Sequence, residues 1–270
     1  MSDFQDIEFE IDDPLAVIRL NRPERLNAFT YRMLGEIRSA VDAAAADPRV
    51  VAIVFTGNGR AFSAGLDAEV LAAVTEAGSS TAASGREPDP DALPGMFSYL
   101  LEVPKPVIAA VNGVAAGGGV ILALASDLRF ASEAASFTTV FTKRGLISEH
   151  GSSWLLPRLV GTGHALDLLW SSARIDARRA LEIGMVERLV AADELLASVR
   201  AYVEDLATNV APAALAETKR LVYRHAGCDY RSALVEAEVS QERFVAGPDA
   251  REGALSFMEK RPPRFQRVPK

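Results

Sequence analysis

The stretch "AAGGGVILALASDLRFAS", from Ala115 to Ser132, decides the fold. Three consecutive glycines, Gly117 to Gly119, stand in it between two apolar runs, although glycine costs backbone entropy wherever it is ordered. The preceding run, "KPVIAAVNG", is typical of a buried strand, whereas Val120 to Ala125 predicts a helix and "DLRFAS" the next strand. The triplet therefore marks a tight strand-to-helix turn.

The same alternation continues along the chain. "IEFEIDDPLAVIRLNRP" predicts two short strands that meet at residues 12–14, and "VVAIVFTG", Val50 to Gly57, predicts a strand buried on both faces. From Asp193 to Met258 the apolar residues recur three and four apart, which predicts a mostly helical segment. Three further helices are predicted over Asn27 to Ala46, Met96 to Glu102 and Gly163 to Ser171. The pattern indicates an α/β chain with a helical C-terminal extension.

Residues 75–95 differ in composition from the rest. They are rich in Gly, Ser, Ala and Pro and carry few large apolar side chains. Because strand patterns continue on both sides, we expect a mobile surface loop here and not a linker between domains.

The bulk composition narrows the classes of protein. The 270 residues are 49% hydrophobic and 24% charged, which is ordinary for a globular chain. The net charge of −7 disfavours a nucleic-acid partner, which would need a basic face. The single cysteine, Cys228, excludes an intramolecular disulfide and a cysteine-rich metal site, and no metal-binding motif is visible. Neither a signal peptide nor a membrane span is recognisable, so we expect a cytoplasmic location.

A second glycine-containing turn, "RAFSAGLD", covers Arg60 to Asp67. It also follows a buried strand and precedes a helical pattern, and its small residues let backbone N–H groups approach a ligand. Each of the two turns could supply one amide to a single oxygen, an arrangement that suits a thioester carbonyl on its way to an enolate or a tetrahedral intermediate. Each turn also has a simpler alternative. The stretch from Arg60 to Asp67 could be only a tight strand-to-helix turn, and the triplet could serve only close packing of the helix on its neighbours.

With these motifs the sequence resembles the crotonase (enoyl-CoA hydratase/isomerase) superfamily over nearly its whole length. The similar segments are "LNRPERLNAF", "VVAIVFTGNGRAFSAGLD", "KPVIAAVNGVAAGGGVILALASDLRFAS", "GLISEHGSSWLLPRLVG", "ARRALEIGMVERLV" and "SQERFVAGPDAREGALSFMEKRPPRF". The resemblance implies a spiral of ββα units over residues 1–195, which binds acyl-CoA, and a C-terminal helical region over residues 196–270, which mediates trimerisation. The implied substrate is an acyl-CoA thioester, so that coenzyme A arrives with the substrate and no separate cofactor is needed. A homotrimer or hexamer is implied as well.

The resemblance also assigns site residues. The two amides that hold the thioester oxygen are those of Leu66 and Gly118, the middle glycine of the triplet. For coenzyme A, it implies that the adenine lies against the backbone of Ser63, Ala64 and Asp67. It also implies that two basic residues, Arg25 and Lys260, lie near the phosphates. For Lys260 an ordinary solvated surface lysine is an equal alternative.

Two apolar residues stand where family hydratases carry their glutamates. One of those glutamates lies two residues after the glycine triplet, and that position here is Ile121. The other matches Phe141. Neither side chain can give or take a proton, and adding water to a double bond needs both activation of water and protonation of carbon. The sequence therefore disfavours ordinary hydratase chemistry.

The remaining candidate acid is Glu149, in "GLISEHGSSW". Family isomerases carry an acid at the matching place, and a related dehalogenase uses an Asp there as its nucleophile. Ile147 and Trp154 flank it, and partial burial would raise its pKa. Alternatively Glu149 is an exposed carboxylate that caps a helix beginning at residues 152–153. His150 is a further candidate for a second acid/base group.

These observations predict an acyl-CoA enzyme in which Glu149 is the single acid/base. The favoured reaction is double-bond isomerisation of an enoyl-CoA through an enolate. Three alternatives stay open: a hydrolase that acts on a C–C or thioester bond of an acyl-CoA, an enoyl-CoA hydratase with displaced acids, and a non-catalytic acyl-CoA-binding protein.

Overall fold

The computed structural model describes residues 4–78 and 93–267. The strands are β1 Ile7–Asp12, β2 Leu15–Leu20, β3 Ala52–Gly57, β4 Ala61–Ser63, β5 Val107–Val111, β6 Val114–Ala116, β7 Leu128–Ser132, β8 Ser136–Thr138, β9 Ile175–Asp176 and β10 Arg188–Val190. The α-helices are α1 Tyr31–Ala46, α2 Ala68–Ala77, α3 Gly118–Ala125, α4 Ser152–Ser171, α5 Ala177–Glu182, α6 Leu195–Asn209, α7 Pro212–His225, α8 Tyr230–Val245 and α9 Pro248–Glu259.

The strands form two sheets, and the chain passes repeatedly from one sheet to the other. The larger sheet has the order β1-β2-β3-β5-β7-β10 and is parallel from β2 onwards, and the smaller sheet has the order β4-β6-β8-β9. Successive pairs β3–β4, β5–β6 and β7–β8 place one strand in each sheet, and a helix follows each pair. This is the spiral of ββα units that the sequence predicts.

The helix before β3 begins later than predicted. Leu26 and Asn27 have positive φ angles of 52° and 55°, which a helix cannot accommodate. The helix α1 starts at Tyr31, where the side chain of Thr30 accepts a hydrogen bond from the amide of Met33.

Two other predicted helices differ in the structure. Residues 98–102 form a short 3₁₀ helix instead of an α-helix from Met96. The helix α4 begins at Ser152, well before the predicted Gly163, and kinks at Gly161, whose φ and ψ are 76° and 161°. Pro157 and Gly161 interrupt the helical pattern, so the sequence showed only the second half of this helix.

The predicted loop over residues 75–95 is only partly described. Residues 75–77 close α2, and residues 79–92 lie outside the described residues. In the two described ranges, no helix is both long and apolar enough to cross a membrane.

The C-terminal helices pack on the spiral in two ways. Leu195, Val199 and Val203 of α6 cover the second face of the larger sheet. From α7, Lys219 reaches the carboxylate of Asp127 at 2.7 Å, and the hydroxyl of Tyr223 donates to the same carboxylate at 2.8 Å. Asp127 therefore connects α7 to the spiral.

Replacing Asp127 with asparagine should destabilise the protein by about 3 kcal/mol, because it leaves the buried ammonium of Lys219 without its counter-charge. The free energy of unfolding in urea measures this. Glu182→Gln is the matched control, because the exposed Arg179–Glu182 pair should contribute less than about 1 kcal/mol. Equal, small losses in both variants would contradict the role of Asp127.

Candidate functional site

The two glycine-containing turns meet in the structure. A Cβ atom placed on Gly65 would lie 2.7 Å from the carbonyl oxygen of Ala116 and 2.9 Å from the amide nitrogen of Gly118. The first turn is held by an isolated parallel bridge, in which the Phe29 amide donates to Gly65 O at 2.7 Å and the Asp67 amide donates to Phe29 O at 2.9 Å. In a parallel bridge the intervening residue faces the other way, so the N–H of Leu66 points away from Phe29.

The second amide belongs to the first residue of α3. Gly117 precedes it with a φ of 49°, and a helix has no internal acceptor for the N–H of its first residue. Within residues 4–78 and 93–267, neither the Leu66 nor the Gly118 amide donates a hydrogen bond. The predicted pair of amides thus lies on two touching turns, and both are free to bind an anion or a developing oxyanion.

The third glycine explains how close the turns are. A Cβ atom on Gly119 would lie 2.2 Å from the carbonyl oxygen of Ser63, a distance that real atoms do not tolerate. The first turn of α3 therefore presses directly on the backbone of β4. The sequence suggested either close helix packing or an amide for a ligand oxygen as the reason for the triplet. The two are compatible, because close packing of the helix brings the turns of the Leu66 and Gly118 amides into contact.

The walls around the turns are apolar. Phe29 lies against Gly118, and its ring meets Phe97 edge-on with centroids 5.2 Å apart. Ile121 and Phe141, which stand at the positions of the hydratase glutamates, are both buried in the hydrophobic core. Neither position therefore offers a proton carrier to the site.

Glu149 lies on the loop that enters α4, and its side chain is 33% exposed. Burial raises the pKa of its carboxyl group. The side chain does not cap the helix, because α4 has no side-chain cap; instead the amide and hydroxyl of Ser152 donate to the Glu149 carbonyl oxygen. The capping alternative is therefore wrong.

The two apolar residues that flank Glu149 in sequence are both exposed. Ile147 is 81% exposed, and Trp154 stacks its ring on the guanidinium of Arg158 at 3.7 Å. Trp170 is also largely exposed. The sequence could not show this, because large apolar residues stand on surfaces as well as in cores.

The loop of Glu149 is connected to the glycine turns by a short segment. Val140, with a φ of 57°, lies against Gly117, where an added Cβ atom would be 3.1 Å from its side chain. Phe141 then precedes a 3₁₀ turn. The turn is closed by two hydrogen bonds, which the amides of Arg144 and Leu146 donate to Phe141 O. The segment that leads along the chain from the triplet's neighbour Val140 towards Glu149 therefore begins with a compact turn.

Three of the predicted coenzyme A contacts lie along the first turn. Ser63 is buried, and its hydroxyl donates to the carbonyl oxygen of Asn27. The amide of Ala64 donates to Leu26 O, and the Asp67 side chain caps α2. Hydrogen bonds therefore fix the backbone of this turn, and the Ser63 hydroxyl and the Asp67 carboxylate already have hydrogen-bond partners within the protein.

The carboxylate of Asp67 also pairs with Arg22 at 3.0 Å, a contact that the sequence did not single out. Burial alone would raise the pKa of Asp67, but the Glu69 amide and the Arg22 guanidinium outweigh it and hold that pKa below its usual value. The signal was present in "LNRPERLNAF", where Arg22 stands beside the more obvious Arg25.

The two basic candidates for phosphate binding lie on the surface. Arg25 ends a 3₁₀ turn and stays 57% exposed, with Glu69 at 3.7 Å. Lys260 is exposed at the end of α9 and has a φ of 53°. Among the described residues, no cluster of His, Cys, Asp and Glu could hold a metal ion.

A cavity of about 890 Å³ lies apart from the paired amides. It runs between the 3₁₀ helix of residues 98–102, the first turn of α4 and the helices α7 and α8, and its walls include Leu101, Trp154 and Phe244. Neither the two amides nor Glu149 line it. It is therefore not the candidate catalytic site.

A ββα spiral with two free amides on adjacent glycine turns is the arrangement that the resemblance to the crotonase superfamily implies. The family model for enoyl-CoA hydratase/isomerase matches residues 10–268, and the chain belongs to this family. The family implies an acyl-CoA substrate.

Individual relatives agree with this assignment. A Thermus thermophilus protein that bears the name of an enoyl-CoA hydratase is 38% identical over 251 residues, which cover 93% of this chain and 97% of that protein. The crystal structure of an enoyl-CoA hydratase from Bacillus anthracis has a TM-score of 0.88 at 30% identity and covers 98% of this chain and 100% of that one. An enoyl-CoA hydratase subunit I from Geobacillus kaustophilus has a TM-score of 0.86 at 33% identity, with 99% and 100% covered.

Proposed function

We propose that this family member isomerises the double bond of an enoyl-CoA, with Glu149 as its single acid/base. The observation that carries the proposal is a contrast between three positions. Ile121 and Phe141 are apolar and buried, whereas Glu149 keeps a partly buried carboxyl group whose pKa is raised by burial. A raised pKa suits a group that must accept a proton and return it near neutral pH.

The chemistry needs only groups that this chain supplies. The Glu149 carboxylate removes a proton from the α or γ carbon of the thioester, and the electron pair of the broken C–H bond moves onto the thioester oxygen. The amides of Leu66 and Gly118 hold that oxygen while it is negative. Glu149 then returns the proton to the other carbon of the dienolate, so that the double bond moves and no atom is gained or lost.

The adenine and phosphates of coenzyme A would lie at one side of this site. The backbone of Ser63, Ala64 and Asp67 is rigid enough to receive the adenine, and Arg25 is exposed beside it. Lys260 is the more distant candidate in the chain, since it follows α9.

A panel of acyl-CoAs in deuterated water tests the proposal. Isomerisation predicts exchange of α and γ protons and a shifted double bond, and it predicts no oxygen uptake from heavy-oxygen water. Oxygen uptake would instead identify a hydratase or a hydrolase of a C–C or thioester bond. Tight acyl-CoA binding without proton exchange would identify a non-catalytic binder.

Water addition is the second candidate, because relatives at 34–38% identity bear hydratase names. Since Ile121 and Phe141 cannot carry protons, such a hydratase would have to use Glu149 for both activation of water and protonation of carbon.

The rate should depend on pH through Glu149. A protonated carboxyl group cannot accept a proton, so kcat/KM should fall as the pH drops through the pKa of Glu149. Because burial raises that pKa, the midpoint of the fall should lie above the ordinary glutamate value of 4.5. A profile of kcat/KM from pH 4 to 9 measures it, and a midpoint below 4.5 would contradict the assignment.

We also propose that residues 196–270 mediate assembly into a trimer or hexamer. Support comes from large apolar side chains that α8 and α9 leave exposed, among them Val235, Val239, Phe257 and Met258. Helical packing from Leu195 onwards supports a boundary near residue 195 between this region and the acyl-CoA-binding spiral. Light scattering on the purified protein would show the assembly, and a monomer at micromolar concentration would contradict it.

A further inference from the structure

His150 stands beside the proposed acid/base in an unusual backbone conformation. Its φ is 50°, a left-handed value that residues with a side chain seldom adopt, and Gly151 follows with a φ of 80°. Such conformations persist where the surrounding structure holds them, and they occur often at functional sites. A glycine would fit this position with less strain, so the imidazole itself calls for an explanation.

The imidazole lies between two parts of the structure. Its Nε2 atom is 3.4 Å from Oε2 of Glu149. Its Nδ1 edge faces Gly95, where an added Cβ atom would lie 3.7 Å away. The left-handed turn thus places one ring nitrogen on the carboxylate and packs the other edge of the ring against the segment before the 3₁₀ helix.

The surroundings of the ring disfavour its charged form. The side chain of His150 is 27% exposed, and burial lowers its pKa. Residues 93–98, which include the packing partner Gly95, carry no charged side chain. Among the described residues, Glu149 supplies the carboxylate that lies within 4.0 Å of a ring nitrogen of His150. A neutral imidazole with its proton on Nε2 can donate to a carboxylate. At 3.4 Å the two groups are in contact without a hydrogen bond, and such contacts can tighten into hydrogen bonds when substrate binds.

We infer that His150 is a positioning residue for Glu149: when substrate binds, it donates from Nε2 to Oε2 and so fixes the orientation of the carboxylate. The inference rests on the proposed function, because it requires Glu149 to be the proton carrier. A donor on the carboxylate also favours its ionised form, so the loss of His150 should raise the pKa of Glu149 in the substrate complex.

The test compares His150→Gly with His150→Asn. Both residues tolerate the left-handed backbone, but only asparagine keeps a donor, and neither titrates. We expect His150→Gly to lower kcat at least tenfold with little change in KM, and His150→Asn to stay within about threefold of the original rate. On the acid side, the midpoint of log kcat against pH should lie higher in His150→Gly than in the original protein and stay unchanged in His150→Asn. His164→Asn, on the exposed face of α4, is the matched control.

The outcomes separate the inference from the proposed function. Activity in Glu149→Gln would overturn both. Loss of activity in Glu149→Gln, with unchanged kcat and midpoint in both His150 variants, would overturn the inference alone. If His150→Gly does not fold, His150→Asp takes its place with the same expected loss of kcat, because it tolerates the same backbone and offers no donor; an unchanged kcat there would overturn the positioning role.

Discussion

Replacing Glu149 with glutamine should reduce enoyl-CoA isomerisation, and the exchange of substrate protons into deuterated water, by about 10³-fold. A single general acid/base contributes roughly 10²–10⁴-fold to a rate, and neither Ile121 nor Phe141 can substitute for it. Glutamine keeps the shape of the side chain but cannot accept a proton. Binding of the acyl-CoA should persist, because the amides of Leu66 and Gly118 are unchanged. Turnover by chromatography and exchange by proton NMR measure the two effects.

The control for this variant is Glu133→Gln. Glu133 is an exposed glutamate in the turn between β7 and β8, and its replacement should leave turnover unchanged. If Glu149→Gln and Glu133→Gln behave alike on every substrate that is turned over, Glu149 is not the acid/base.

Replacing Gly119 with alanine should damage both stability and activity. The new methyl group would lie 2.2 Å from the carbonyl oxygen of Ser63, and because that atom belongs to the backbone of β4, the helix α3 must move. Overpacking of this kind costs about 1–3 kcal/mol. The movement also displaces the Gly118 amide, and loss of one such donor lowers kcat by roughly 10²–10³-fold.

The urea midpoint and the kcat of the folded variant measure these two losses separately. Gly35→Ala in α1 is the matched control, since nothing lies within 4 Å of its added Cβ atom. There the change should stabilise the protein by up to about 1 kcal/mol, because alanine is the better helix former. Retention of stability and turnover in Gly119→Ala would show that the close contact between the two turns is not needed.

The local features of this site could be read from the sequence because they depend on residue type. A strand, a glycine triplet and a helix follow one another in Ala115 to Ser132, and the structure reproduces that order. The apolar character of Ile121 and Phe141 was equally plain. The predicted boundaries were wrong where one residue interrupts the pattern of an element, as Gly161 does within α4. A helical pattern cannot reveal a helix that continues through a kink.

By itself, the sequence determined the alternation of strands and helices, because periodicity and glycine act over a few neighbouring residues. Its resemblance to the crotonase family indicated the ββα spiral and made Glu149 the candidate acid. Only the tertiary structure decided how these parts meet. It placed the carbonyl oxygen of Ser63 on Gly119, left the Leu66 and Gly118 amides without acceptors and turned the imidazole of His150 towards Glu149. Such contacts join residues that are far apart in the chain or depend on a backbone angle, and neither is encoded in local residue type.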